Sequence, residues 1–408
     1  MKKFSRYLPA LVLISLTMSL PLFTISSSAA TISSPYVLAG GETGTWFTPS
    51  QNPIFYQISV TNGSEYSDLT SNLVEGTGTV WTGGWNGSQW LVTGFGVAAN
   101  NQGFGGPAMF LFDQNMDPIS YNTTEINSEM TSWSGGDVFS ASWGGNDNWL
   151  VSGLGSGDIC GGNHMSLGLF NGSNFIDLSS RLPCDDYILY ASAWNGQYWL
   201  VGGGYLDGGA VLYSYTPANN TLNTLSSIFS KALGSDFHPV TSIAWNGKYW
   251  LIGGMGFLAE LNSGKVTNLT KKLNSAASNI LEYPNSVNSI VWDSSSSTWY
   301  FGGGLPISVT PSLAGSSEQA WLASYSTSGK GSFKDLTSHA IPSDKLSSSN
   351  SAVLSLSLSG TTLIAGGYYT PSSTNQGVLL FYNTSAKTTG DESTTVSSFG
   401  YVDWVGTE

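Results

Sequence analysis

Charge is scarce in this chain. Of 408 residues, 13 are basic and 26 acidic, so charged residues make up 10% of the sequence, against about 25% in an average soluble domain. Arginine occurs only at Arg6 and Arg181, histidine three times and cysteine twice. Without clustered positive charge nothing neutralises a phosphate backbone, which excludes a dedicated nucleic-acid binder. The composition also lacks the Ala, Glu, Lys and Leu enrichment of a coiled coil or helical bundle. Beyond residue 30 there is no run of 18 apolar residues, so no later segment reads as a membrane-spanning helix.

What is abundant is glycine and aromatic surface. The chain has 50 Gly and 15 Trp, and aromatics reach 13%; disordered chains are poor in aromatics and rich in charge. Residues 1–30 read as a signal peptide. Lys2, Lys3 and Arg6 precede a largely apolar Tyr7–Phe23, and Ser28-Ala29-Ala30 fits a small-x-small cleavage site. Retention as an uncleaved anchor is the alternative. Residues 31–408 are then one mature domain with 10 basic and 26 acidic residues, net −16. The expected location is secreted or cell-surface. There the two cysteines, Cys160 and Cys184, would pair, and seven Asn-x-Ser/Thr acceptors, from Asn62 to Asn383, become relevant if the host glycosylates.

The main signal is a repeat. Val240 to Gly254 reads Val-Thr-Ser-Ile-Ala-Trp-Asn-Gly-Lys-Tyr-Trp-Leu-Ile-Gly-Gly, and closely similar runs occupy 80–94, 139–153, 190–203 and 287–303, with a worn copy at 353–367. Each run is an alternating apolar strand, a tight turn, and a β-rich strand ending in Gly-Gly. Asn-Gly at the turn suggests type I′ geometry, with positive φ at both central residues. Two further apolar runs follow each hairpin, giving four strands per roughly 50 residues, a propeller blade. Tyr36–Gly41 looks like a second strand without a first, and Tyr401–Gly406 like a first strand without a second. Joined in one blade they close the circle and leave no exposed edge there. The expectation is an all-β, seven-bladed β-propeller of four-stranded blades, closed by the N- and C-terminal strands; six blades with decorated termini is the alternative.

The Gly-Gly doublet and Tyr215-Thr216-Pro217-Ala218-Asn219-Asn220-Thr221-Leu222 resemble the Kelch repeat, and the Trp-Asn-Gly-x-x-Trp-Leu-x-Gly-Gly hairpin is similar to bacterial-neuraminidase-type propeller repeats. The resemblance implies a propeller over nearly the whole mature chain. It specifies no activity. A sialidase resembling those propellers would need an arginine cluster, and Arg181 is the one arginine of the mature chain. A copper oxidase similar to the Kelch-type galactose oxidase would need a free Cys joined to Tyr, which paired cysteines preclude.

Long irregular segments fall at one face, where binding loops usually sit. Candidate ligand-binding residues on that face are Trp133, Asp158, His164, Asp185, Asp186, Tyr187, Asp207, Phe237, His238, Glu282 and Tyr283. Aromatic faces beside carboxylates suit a sugar. Asp158, Asp185 and Asp186, near the expected Cys160–Cys184 bridge, would suit Ca²⁺ or remain a solvated acidic loop. No other metal or cofactor is implied. The three histidines fall in different blades and read as scattered. Asp137, Asp158, Asp185, Asp186, Asp207, Asp236 and Glu282 leave a two-carboxylate glycoside hydrolase open. The expectation is a binding module for extracellular glycan or a cell-surface protein, pointing away from an enzyme. A carbohydrate-active enzyme and a structural cell-surface component are the alternatives.

Overall fold

The computed structural model describes residues 35–408 except 44–51, 62, 64, 74–76, 98–103, 120–129, 131–132, 134–135, 146–147, 156–159, 161, 186, 206–208, 278–280, 282–284, 305–318, 329–330, 347–349, 372–373 and 397–398. The leader expected over residues 1–30 lies outside them.

The fold is all-β and of the β-propeller type, built from antiparallel meanders. In each, the strand nearest the axis comes first. These inner strands are Thr77–Trp85, Asp137–Trp143, Ile188–Trp194, Val240–Trp245, Ser286–Asp293 and Ser351–Ser359. The meanders led by Ser286–Asp293 and Ser351–Ser359 are joined through Gly304↔Ala352 into one eight-stranded sheet. The remaining sheet is assembled from both ends of the chain. Tyr401–Gly406 pairs with Tyr36–Thr43, with Ala39 opposite Val405 and Gly41 opposite Val402. It is the inner strand of that sheet, and it packs against Thr77–Trp85 on one side and Ser351–Ser359 on the other.

The recurring tryptophans are packing residues. Trp90, Trp149, Trp199, Trp250 and Trp299, on the second strands, are fully buried. Each packs at a tilt against the Trp that ends its own inner strand, with centroids 4.2–5.2 Å apart. Trp250 Nε1 donates to Tyr198 Oη at 3.2 Å and Trp299 Nε1 to Tyr249 Oη at 3.0 Å, tying each sheet to the preceding one. Such aromatic pairs add about 0.5–1.5 kcal/mol each beyond burial.

The tight turns correct the type I′ expectation. Only the glycine has positive φ: +97° at Gly87, +96° at Gly196 and +88° at Gly247. One positive φ at the first central position is the requirement of a type II′ turn. The asparagine instead acts through its side chain. Asn195 Oδ1 accepts the N–H groups of Gln197 and Tyr198, and Asn246 Oδ1 those of Lys248 and Tyr249, at 2.8–2.9 Å.

A second repeat closes the outer edges: Asp68-Leu69-Thr70, Asp177-Leu178-Ser179, Asn268-Leu269-Thr270 and Asp335-Leu336-Thr337. In each, the Asp or Asn carboxyl or amide oxygen accepts the N–H of the Ser or Thr two residues on. That hydroxyl oxygen in turn accepts a backbone N–H of the strand beside it, at 3.0–3.2 Å. The intervening leucine is buried. Hydroxyls and amides thus perform the anchoring for which this chain has little charge.

Candidate functional site

Every inner strand carries a β-bulge at the same place. The pairing register skips one residue between Val80 and Thr82, Val138 and Ser140, Leu189 and Ala191, Val240 and Ser242, Val287 and Ser289, and Val353 and Ser355. In the terminal sheet the residue skipped is Asp403. A bulge re-aims the extra side chain. Here every re-aimed side chain lines one cavity of about 260 Å³ between the inner strands.

The bulge explains the Gly-Gly doublet. A Cβ on the second glycine would overlap a carbonyl oxygen that the bulge pushes toward it: Ile188 O at Gly203, Ser286 O at Gly303, Ala352 O at Gly367, Tyr401 O at Gly41. A Cβ on the first glycine would overlap the valine of the next inner strand, as at Gly202 against Val240 and Gly302 against Val353. The second glycine is therefore a steric requirement of the bulge, and it recurs at Gly94 and Gly153, where Thr93 and Ser152 replace the first.

The cavity has two unlike walls. Trp81, Phe139 and Tyr190, the bulge residues of three successive sheets, form a continuous aromatic surface, with centroids 5.4 and 5.6 Å apart. Thr241, Asn288, Leu354 and Asp403 complete the circuit. The serines beside them are committed to bonds between sheets. Ser140 and Ser192 hydroxyls are 2.8 Å apart, Ser242 Oγ donates to Val287 O at 2.6 Å, Leu356 N–H donates to Ser289 Oγ at 3.0 Å, and Val405 N–H donates to Ser355 Oγ at 3.1 Å.

Asp403 is the chemically distinct member of the circuit. It is 8% exposed, and neither carboxyl oxygen has a hydrogen-bond partner. Burial, reinforced by the charge of Glu42, holds its pKa well above the ordinary 3.8. Asp137, also buried, is pushed to about 7 by burial first and Glu42 second. Glu42 is fully buried and accepts a hydrogen bond from Thr79 Oγ1. Tyr401, whose hydroxyl meets Asn375 Nδ2, is pushed to about 12 by burial and then by Asp403 and Glu42. The arrangement is one hydroxyl-supported carboxylate beside two carboxyls that resist ionisation.

Six of the eleven residues expected on the loop face are described, and their surroundings differ. Trp133 is fully buried and packs edge-on against Phe175 at 5.9 Å. Phe237 is buried between Phe229 and Phe257. Both are core, because each caps a hydrophobic cluster beneath its crossover. His164 is a buried strand residue with Nδ1 3.1 Å from Gly162 O. His238 is half-buried, and burial lowers its pKa against the pull of Asp236. Tyr187 packs on the Leu182–Leu189 cluster and Asp185 is exposed. Asp158, Asp186, Asp207, Glu282 and Tyr283 lie outside the described residues, so of the three carboxylates offered for Ca²⁺ only Asp185 is described. Among the described residues no group of three His, Cys, Asp or Glu side chains is placed to hold a metal ion. Cys160 and Cys184 are joined in a disulfide, with Cα atoms 5.4 Å apart.

No protein-family model and no curated protein matches the sequence. Solved structures do share the fold. A hypothetical selenium-binding protein from Sulfolobus tokodaii aligns with TM-score 0.55 and 11% identity, over 92% of this chain and 94% of its own. A puromycin hydrolase aligns with TM-score 0.52 and 10% identity, over 89% of this chain and 54% of its own. Its mutant complexed with PGG aligns with TM-score 0.50. The chain therefore spans about half the length of the hydrolase. These matches overturn the Kelch and neuraminidase resemblance, and nothing in them supports the carbohydrate-binding or secreted reading. They also correct the expectation of a glycan- or surface-protein-binding module that is not an enzyme: the fold is one that hydrolases share.

Proposed function

We propose that the chain closes as a seven-bladed propeller and acts as a hydrolase on small peptide-like amides held in its axial cavity. The closure reading counts the eight-stranded sheet as two blades and the terminal sheet as one. The functional reading rests on Asp403, a residue lining a cavity of substrate size whose buried carboxyl has no hydrogen-bond partner. The shared fold with puromycin hydrolases supports the substrate class.

In this reading Asp403 protonates the leaving nitrogen as water adds to the carbonyl carbon. The C–N bond breaks, a C–O bond forms, and the proton lost by the water returns to the Asp403 carboxylate. The aromatic wall of Trp81, Phe139 and Tyr190 holds the apolar part of the substrate. A general acid contributes about 10²–10⁴-fold.

The test is release of 4-nitroaniline from phenylalanine 4-nitroanilide by the purified chain. Turnover that falls at least about a hundredfold in Asp403→Asn, with Asp185→Asn unaffected, supports the reading. Absence of turnover, or turnover that survives Asp403→Asn, refutes it. The chain spans only about half of the hydrolase, and that observation favours a second reading: a propeller that admits peptide-like ligands to a catalytic partner. Binding without turnover would support it.

A further inference from the structure

We infer that the axial cavity selects ligands carrying an organic ammonium, which sits against Asp403 and the aromatic faces of Trp81 and its neighbours. The inference deepens the reading above, because it rests on the axial cavity being the working site. It does not require catalysis.

Three independent features of the cavity point to a cation. Asp403 is more than nine-tenths buried and lines the cavity, and neither of its oxygens is engaged by the protein. A buried carboxyl without a partner costs stability, and a ligand donor in the cavity would satisfy it. Next, the sheet adjoining Asp403 contributes Trp81, and Trp81, Phe139 and Tyr190 line the cavity as a chain of rings in contact. Aromatic faces attract cations, more strongly where water is excluded. Finally, no Lys or Arg lines the cavity, so no protein cation competes for the position. The remaining wall, Thr241, Asn288 and Ser residues, is neutral, and its side chains are hydrogen-bonded within the protein.

The groups around Asp403 decide what binding does to protons. Glu42, on the neighbouring strand, acts electrostatically on both Asp403 and Asp137. Tyr401, on Asp403's own strand, stays neutral across the physiological range. Lone ionisation of Asp403 would place a second negative charge beside Glu42. An incoming ammonium removes that obstacle: RNH₃⁺ and the carboxyl become an ion pair, and one proton leaves to solvent. Ammonium binding therefore releases a proton wherever Asp403 is protonated in the empty cavity, and it strengthens as pH rises until Asp403 is ionised there or the amine loses its proton.

The experiment is calorimetric titration with phenethylammonium and its neutral counterpart 2-phenylethanol, in buffers of different ionisation enthalpy. The expected result is at least about tenfold tighter binding of the ammonium, with proton release on binding that diminishes as pH rises. In Asp403→Asn the preference should fall to within about threefold and the proton release should vanish, while 2-phenylethanol binding stays unchanged and so reports an intact cavity. Trp81→Leu should weaken the ammonium more than the alcohol. Equal binding of the two ligands, no binding of either, or a preference that survives Asp403→Asn overturns the inference. The outcomes separate from those of the amide assay. Ammonium selectivity without turnover leaves this inference standing and removes the hydrolase. Turnover without ammonium selectivity does the reverse.

Discussion

Asp137 makes the protonation state of the axial cluster measurable as stability. Its pKa rises from 3.8 to about 7 on folding, through burial and the nearby Glu42 charge. Between these values the native state holds a proton that the unfolded chain has lost. The stabilisation is complete below about pH 4 and is lost as pH rises through about 7. A difference of this size corresponds to about 4 kcal/mol over the whole window. Asn in its place carries no charge at any pH, and Asp137 Oδ1 has no hydrogen bond to lose. Asp137→Asn should therefore match the wild type near pH 4 and exceed it above pH 7.5 by up to about 4 kcal/mol. Urea unfolding followed by tryptophan fluorescence at pH 4, 6 and 8 measures this. Parallel pH profiles for wild type and variant would refute the reasoning, since Asp137 would then titrate alike in both states.

Other consequences follow from the bulges and the proposed closure. Gly203→Ala should cost more than about 2 kcal/mol, because its Cβ meets the Ile188 carbonyl. Gly196→Ala, with open space but a φ of +96°, should cost about 1 kcal/mol; equal costs in chemical denaturation would contradict the steric account of the doublet. Reducing Cys160–Cys184, which closes a separation of 24 residues, should remove about 3 kcal/mol, and a midpoint insensitive to reductant would count against that figure. Deleting residues 401–408 removes the inner strand of the terminal sheet and should abolish the single cooperative unfolding transition; a truncated chain that unfolds like the parent would contradict closure.

The fold was legible because the repeat is a packing code. Trp at the two strand ends and Gly-Gly behind the bulge recur where neighbouring sheets meet, so pattern alone places the strands and pairs Tyr36–Gly41 with Tyr401–Gly406. The site was hidden by the same code. Asp403 follows Val402 as Phe139 follows Val138 and Tyr190 follows Leu189, so it sits inside a repeated frame rather than in a loop. The usable signal was divergence: between a constant aliphatic residue and a frequent serine, one position changes from Trp to Phe, Tyr, Thr, Asn, Leu and Asp. A bulge turns that position inward, but strict strand alternation gives no warning of a bulge. Trp133 and Phe237 misled for the opposite reason. They lie outside the repeat, yet each fills a hydrophobic cluster under its crossover.

The most direct test of the axial cavity as the working site is a crystal structure of the chain grown with phenethylammonium. The account predicts the ligand within the ring of bulge residues, its nitrogen at Asp403 and its phenyl group on the Trp81–Phe139–Tyr190 wall. A ligand seated instead beside Asp185 on the loop face, or an empty cavity under conditions where calorimetry shows binding, would contradict it.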